Sequence, residues 1–241
     1  MRILGIETST RTGSVALVQG EGVIAEYTLN SKETHTARLM PMIDHILKDA
    51  HLTIRQMDAV AVSLGPGSFT GLRIGIATAK GLCLALRKPL IGISTLDALA
   101  HNIGHTSQLI CPLLDARKGE VYTAIYRYRL PGKKQRLEKL SKDMVLSLDK
   151  LLSKINASTV FLGDVFDSYR DLIGKRLGKK ASFAPPALNF PRAANVAVLG
   201  LEKLQSGEEE PGLSEIEPLY VRRPEAEVQW EKKHPKRKEP T

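Results

Sequence analysis

Glu7, Thr8, Ser9 and Thr10 stand together after the apolar run RILGI and just before the turn residues Arg11-Thr12-Gly13. Small hydroxyls at a tight turn donate hydrogen bonds to anionic oxygens, which makes this segment a candidate phosphate loop. The alternative is a strand end whose hydroxyls cap local backbone groups. Gly65-Pro66-Gly67-Ser68-Phe69-Thr70-Gly71 is the second glycine- and hydroxyl-rich segment. A Walker loop needs Lys-Ser/Thr directly after its last glycine, whereas Gly71 is followed by Leu72-Arg73, so these glycines fit a tight strand-to-helix turn better. His101 and His105 have the spacing of a metal pair on one helix face. Asn102 stands where a zinc-protease motif has its glutamate, no third ligand is evident, and both read as surface histidines. No Ser-His-Asp order or paired-carboxylate pattern stands out, so no catalytic residue and no metal site is assigned.

The elements that position these residues follow from periodicity. Arg2–Glu7, Ser14–Gln19 and Val23–Leu29 are β-rich, with Gly20-Glu21-Gly22 as a hairpin turn, so the chain opens with three antiparallel strands. Leu39, Ile43, Ile46, Leu47 and Ala50 share one helix face. Thr34 or Thr36 is its N-cap, and Pro41 predicts a kink or a late start. Asp58–Leu64 reads as a buried strand, Thr70–Leu86 as a helix, Leu90–Ser94 as a strand and Leu96–Ile103 as a short helix. The order βββαβαβα predicts one mixed sheet with helices packed against it, an α/β fold. On the second helix Gly71, Gly75, Ala79 and Cys83 form a stripe of small residues, while Leu72, Ile76 and Leu86 lie elsewhere around it. Two apolar faces suit a partner surface; the alternative is close packing of this helix on its own sheet.

Beyond Gln108, Leu109–Asp115 and Val121–Arg129 read as a strand pair joined at Arg117-Lys118-Gly119. A basic loop, Pro131–Lys142, follows, then strand and helix signals at Val160–Gly163, Tyr169–Leu177 and Ala193–Leu204. The expected organisation is a first lobe over residues 1–106, a smaller degenerate lobe over 107–223, and a poorly ordered basic tail over 224–241. The 241 residues are 42 % hydrophobic and 25 % charged, an ordinary globular composition that excludes a fibrous or wholly disordered chain. No apolar run reaches the ~18 residues of a membrane span, and the N-terminus has no secretory core, so a cytoplasmic protein is expected. Cys83 and Cys111 are too few for a disulfide framework and read as buried thiols. The net charge of +9 lies mainly in the second half, where it suits phosphate backbones or serves only solubility.

The βββαβαβα order with a polar turn after the first strand resembles the actin, sugar-kinase and heat-shock ATPase superfamily, in which that turn holds a nucleotide phosphate. The glycine pair usual at that superfamily's adenosine site is absent, since the chain contains no Gly-Gly. More specifically, ILGIETSTRTGSVAL, SLGPGSFTGLRIG at Ser63–Gly75, GISTLDALA at Gly92–Ala100, LLDARKGEVYTAIY at Leu113–Tyr126 and Pro218-Leu219-Tyr220-Val221-Arg222 resemble the bacterial TsaB, or YeaZ, family. The resemblance is strong over about residues 1–130 and weaker beyond. It implies an actin-like, RNase H-like two-lobed fold and a role in forming N6-threonylcarbamoyladenosine beside the tRNA anticodon. The implied role is that of a non-catalytic scaffold for a TsaD-like transferase, on which a TsaE-like ATPase docks.

In TsaD-like proteins a His-x-x-x-His metal motif follows the strand matching Leu90–Ser94; here Thr95 and Leu99 occupy those positions, so no metal is expected. No cofactor is expected on the chain alone, with ATP or ADP bound only in the complex. The resemblance assigns pairing to the first two helices. The expected interface is Leu39, Met42, Ile43 and Ile46 with Gly71, Ile74, Gly75, Thr78 and Cys83, and Gly75→Arg is expected to abolish pairing without unfolding. The same surface implies a homodimer when the partner is absent, and the basic second half implies tRNA contact. A metal-dependent glycoprotease-like hydrolase and an independent ATPase using Glu7 and Thr8–Thr10 are the alternatives.

Overall fold

The computed structural model describes residues 1–20, 22–129, 136–207 and 211–222. The expected opening is met: β1 (Arg2–Glu7), β2 (Gly13–Gln19) and β3 (Gly22–Leu29) pair antiparallel, and β4 (Ala59–Gly65) and β5 (Leu90–Ser94) continue parallel to β1 in the order β3-β2-β1-β4-β5. Period-2 alternation divides the sheet. Leu4, Ile6, Val15 and Leu17 face α1 (His35–Asp49) and α2 (Phe69–Leu86), and Ile3, Val18, Ala59 and Ala61 face the opposite side. α1 begins at His35 and runs through the exposed Pro41, so the proline causes no late start.

The second sheet is built on β6 (Leu109–Asp115), which runs parallel to β11 (Thr159–Leu162) and, through it, to β12 (Ala181–Phe183). The strand expected over Val121–Arg129 is two strands, β7 (Glu120–Thr123) and β8 (Tyr126–Arg129). β7 pairs with β10 (Met144–Ser147) and β8 with β9 (Arg136–Lys139). The run breaks where it changes partner: the Leu140 amide donates to the Ile125 carbonyl, and the Ile125 amide donates to Ser141 Oγ. β9 also replaces part of the expected basic loop, whose residues 131–135 lie outside the described residues, as does the tail from 223 onward. α4 (Leu148–Leu152) and α5 (Phe166–Leu177) cover this sheet, with Leu151, Phe161 and Ile173 at the centre of the core.

The chain then returns. α6 (Ala193–Ser206) packs Val196, Ala197 and Leu201 onto Ile3, Ala59, Ala61 and Ile91, and α3 (Thr95–Ala100) adds Ala98 to the same layer. Ile216 joins the opposite core, among α1 and α2. The chain passes from the first sheet to the second between α3 and β6, but α6 and Ile216 pack with the first one. Their local signals are those of an ordinary helix and loop, and only long-range packing assigns them. Glu26 fixes the return by accepting from the Arg192 side chain and, at 3.0 Å, from the Ala194 amide at the start of α6.

Candidate functional site

The β1–β2 turn, the candidate phosphate loop, is largely buried. Glu7 is fully buried; its Oε1 accepts from the Ser9 amide at 2.5 Å and its Oε2 from the Ser63 hydroxyl. Burial raises the Glu7 pKa above the ordinary carboxylate value, and the hydrogen bonds from Ser63 and Ser9 only partly offset this. Thr8 Oγ1 donates to the Gly71 carbonyl at 2.8 Å, the Ser9 carbonyl accepts from the Ser68 amide at 2.6 Å, and Thr10 Oγ1 donates to the Thr12 carbonyl at 3.3 Å. Only the Ser9 hydroxyl, buried, has no hydrogen-bond partner. The Thr8 and Thr10 hydroxyls are thus spent on the protein's own backbone, and the Glu7 carboxylate on the Ser9 amide and Ser63.

The glycine-rich segment is what seals it. A Cβ on Gly67 would lie closer than 3.0 Å to the Ser9 carbonyl oxygen, one on Gly71 to that of Thr8, and one on Gly75 to Thr8 Oγ1. The stripe of small residues on α2 therefore lets the helix sit directly on the end of β1, the second of its two readings. Cys83 is buried in the same core, as are Leu39, Met42, Ile43 and Ile46 of α1. Of the nine residues expected at a partner interface, only Ile74 and Thr78 are even partly exposed, which corrects that assignment. The outer faces carry other residues: Phe69, Arg73, Ala77 and Leu84 on α2 and Met40 on α1, with Leu84 73 % exposed.

Two side chains that the sequence did not single out, the half-buried His35 and the buried Arg38, hold the turn from behind. His35 Nε2 lies 2.8 Å from the Thr10 carbonyl oxygen. Arg38, buried, donates through Nη2 to the Arg11 carbonyl at 2.5 Å and through Nη1 to Ser31 Oγ at 3.0 Å. Burial lowers the pKa of both side chains. A cationic residue on an amphipathic helix reads as solvated, and nothing local marks Arg38 as buried.

Between the lobes lies a cavity of ≈ 530 Å³ lined by Ser9, Arg11, Phe69, Tyr122, Asp164 and Tyr220, among others. Its rim is the β6–β7 turn, where Arg117, Lys118 and Gly119 all adopt left-handed φ, an unusual conformation for the first two residues. The polar groups here are largely committed. Asp115 Oδ1 accepts from the Arg117 amide at 2.7 Å, and Asp164 Oδ1 accepts from the Asp115 amide at 3.1 Å. Desolvation at the cavity wall, reinforced by the Asp115 charge, pushes the solvent-exposed Asp164 up to about 6. Burial likewise pushes Cys83 up to about 11 and Cys111 up to about 12, so both thiols stay protonated and unreactive at neutral pH.

A strap closes one side of the cavity. The Leu219 amide donates to the Leu64 carbonyl at 2.7 Å, and Tyr220 stacks on Phe69 with centroids 5.6 Å apart while Arg73 lies over the Phe69 ring. Arg222 crosses to the second lobe, donating to the Ala116 carbonyl at 2.9 Å and pairing with Glu120. Replacing Arg222 by alanine removes the strap's ion pair to the β6–β7 turn. It is expected to lower the melting temperature by roughly 2–4 °C, for a loss of about 1 kcal/mol, and to speed limited tryptic cleavage between the lobes; an unchanged digestion pattern would argue against a strap.

His101 and His105, read as surface histidines, have separate partners. His101 Nδ1 lies 2.8 Å from the Asp97 carbonyl oxygen, and His105 packs edge-on against Tyr128. Among the described residues no group of three His, Cys, Asp or Glu is placed to hold a metal ion.

Comparison with known proteins agrees with this geometry. A family model described as TsaD, tRNA N6-adenosine threonylcarbamoyltransferase, matches residues 21–230. The chain is 36 % identical over 233 residues to the tRNA threonylcarbamoyladenosine biosynthesis protein TsaB of Bacillus subtilis, covering 95 % of this chain and 98 % of that protein. It is 32 % identical over 236 residues to the TsaB of Escherichia coli, covering 96 % and 98 %. The structure of YeaZ from Pseudomonas aeruginosa superimposes with a TM-score of 0.73 at 27 % identity, covering 91 % of this chain and 99 % of the other. The two-lobed α/β fold and end-to-end similarity to these proteins lead to one conclusion: the chain belongs to the TsaB (YeaZ) family.

Proposed function

We propose that this chain works in the biosynthesis of N6-threonylcarbamoyladenosine in tRNA as the non-catalytic partner of a TsaD-like transferase, in the cytoplasm. The observation that carries the reading is the close packing of Gly67, Gly71 and Gly75 onto Thr8 and Ser9, which ties the Thr8 hydroxyl and the Ser9 backbone to the protein's own α2 and its N-terminus. A chain with that turn closed contributes surface rather than chemistry. ATP or ADP, and a TsaE-like ATPase, would then engage only the assembled pair.

The surface that suits pairing is the outward side of α2, with Arg73, Ala77 and Leu84 beside the half-exposed Ile74 and Thr78, together with Met40 of α1. An apolar side chain as exposed as Leu84 lowers the free energy of association when a partner covers it, by ~25 cal/mol per Å². Leu84→Asp is expected to weaken pairing at least tenfold while leaving the melting temperature within about 2 °C of the parent protein; size-exclusion chromatography of the mixed pair reads it. The reading as a whole is tested by co-purification with the TsaD-like protein of the same organism and a tRNA modification assay with and without this chain. A stable pair and modification that needs both chains support it. Modification that proceeds fully without this chain overturns it. A homodimer through the same α2 face, when no partner is present, is expected to be lost in the same Leu84→Asp variant.

A further inference from the structure

The end of the second sheet that points away from the cleft carries positive charge without compensation. Leu109, Thr159 and Ala181 are in register at the starts of the parallel strands β6, β11 and β12, so the segments entering these strands lie side by side. These segments, residues 104–108, 153–158 and 178–180, contain Lys154, Lys179 and Lys180 and no Asp or Glu. α5 starts beside Asp164 at the cleft and runs the length of the lobe, so its last turn delivers Lys175 and Arg176 to the same end. From Leu172 to Leu201 the chain has no acidic residue at all. All five cations are exposed, and none forms an ion pair among the described residues.

The β8–β9 hairpin leaves from this end too. Tyr126 stands opposite Ile110, so antiparallel β8 continues past the start of β6 to Arg129, which faces Arg136 directly across the ladder. Like charges directly opposed across a sheet destabilise it. Attraction to the helix dipole accounts for the cations in the last turn of α5. It does not account for Arg129, nor for the lack of any carboxylate in three adjacent loops. Five strands, β9-β8-β6-β11-β12, at ~4.8 Å each make a strip about 20 Å long.

We propose that this strip binds the phosphate backbone of RNA and holds the tRNA substrate on the face of the second lobe opposite the cleft. The proposal rests on the role in tRNA modification given above. Recognition is by charge rather than by base, because exposed lysines and arginines without planar pockets neutralise phosphates and release their counterions. The strip belongs to the second lobe and α2 to the first, so protein pairing and RNA binding use different surfaces.

The test is a titration of fluorescently labelled tRNA with the full chain, alone and mixed with its TsaD-like partner, between 50 and 300 mM salt. It compares the parent with Lys175→Gln/Arg176→Gln/Lys179→Gln/Lys180→Gln, and with the loop-only variant Lys154→Gln/Lys179→Gln/Lys180→Gln in case the first one folds poorly. The expected result for the fourfold variant is tRNA affinity at least tenfold weaker at 50 mM salt and a log–log salt slope shallower by roughly 2–4, with pairing on size-exclusion chromatography unchanged. Equal affinity and equal slope overturn the proposal, as does parent protein that fails to bind tRNA at 50 mM salt in either form. Loss of protein pairing with tRNA affinity retained also overturns it, by assigning the strip to a protein partner. Failure of the parent pair to form bears on the proposed function, whereas the isolated-chain titration still reads the strip.

Discussion

Gly75→Arg is expected to unfold the first lobe rather than release a partner. The residue sits on the buried side of α2, and even a methyl group there would lie closer than 3.0 Å to Thr8 Oγ1. Thr8 cannot move aside, because its hydroxyl is bonded to the Gly71 carbonyl of the same helix and its backbone follows directly on the central strand of the sheet. Gly75→Ala isolates the effect. Overpacking of about 2–3 kcal/mol remains after the ~1 kcal/mol that alanine gains in helix propensity, a fall in melting temperature of roughly 5–10 °C. The arginine variant should show no cooperative melt by circular dichroism. A Gly75→Arg protein that melts within a few degrees of the parent would mean that α2 can lift off β1, and the stripe would again be a candidate interface.

Glu7 yields the second large effect, and its sign depends on the substitution. Burial raises its native pKa above 4.5, so the native state holds a proton more tightly than the unfolded chain. The stability from that proton is fully present below pH 4.5 and is lost as pH rises through the raised native value. Above it, a charge is held in a buried site. Glu7→Gln stays neutral throughout; its carbonyl still accepts from the Ser9 amide and its amide can donate to Ser63 Oγ. It is therefore expected to match or exceed the parent's melting temperature at pH 8, and to lose that advantage at pH 4. Glu7→Ala leaves the Ser9 amide and the Ser63 hydroxyl without an acceptor beside a new cavity. It should cost about 3–4 kcal/mol, or roughly 6–12 °C. Melting curves across this pH range check both, and a Glu7→Gln protein markedly less stable than the parent at pH 8 would show that the charge itself holds the turn.

Much of the first lobe is legible in the sequence because its cues are local. The strands are β-rich runs, a glycine-rich turn leads into a long apolar helix, and Leu39, Ile43 and Ile46 mark one face of α1 unmistakably. Periodicity shows that a face is apolar but not which body covers it, so Leu39, Met42 and Cys83 pass equally well for core or interface until the packing is known. The cleft was less legible. Tyr220 meets Phe69 and Arg222 meets Ala116 across more than a hundred residues of chain, and no short-range pattern encodes such a meeting. The break at Ala124 and Ile125 was hidden for a related reason: the run is uniformly β-rich, and only the change of neighbour from β10 to β9 divides it.

The return of α6 to the first sheet has a consequence for how the protein is made. All five strands of that sheet are complete by Ser94, yet the helix covering Ile3, Ala61 and Ile91 begins only at Ala193. At a synthesis rate of about 5–20 residues per second, an apolar sheet face waits roughly 5–20 s on the ribosome for its cover. The lobe written first is finished last. Nascent chains should thus depend on chaperones through the middle of translation, and a stall within the second lobe should be more prone to aggregation than one after Ser206.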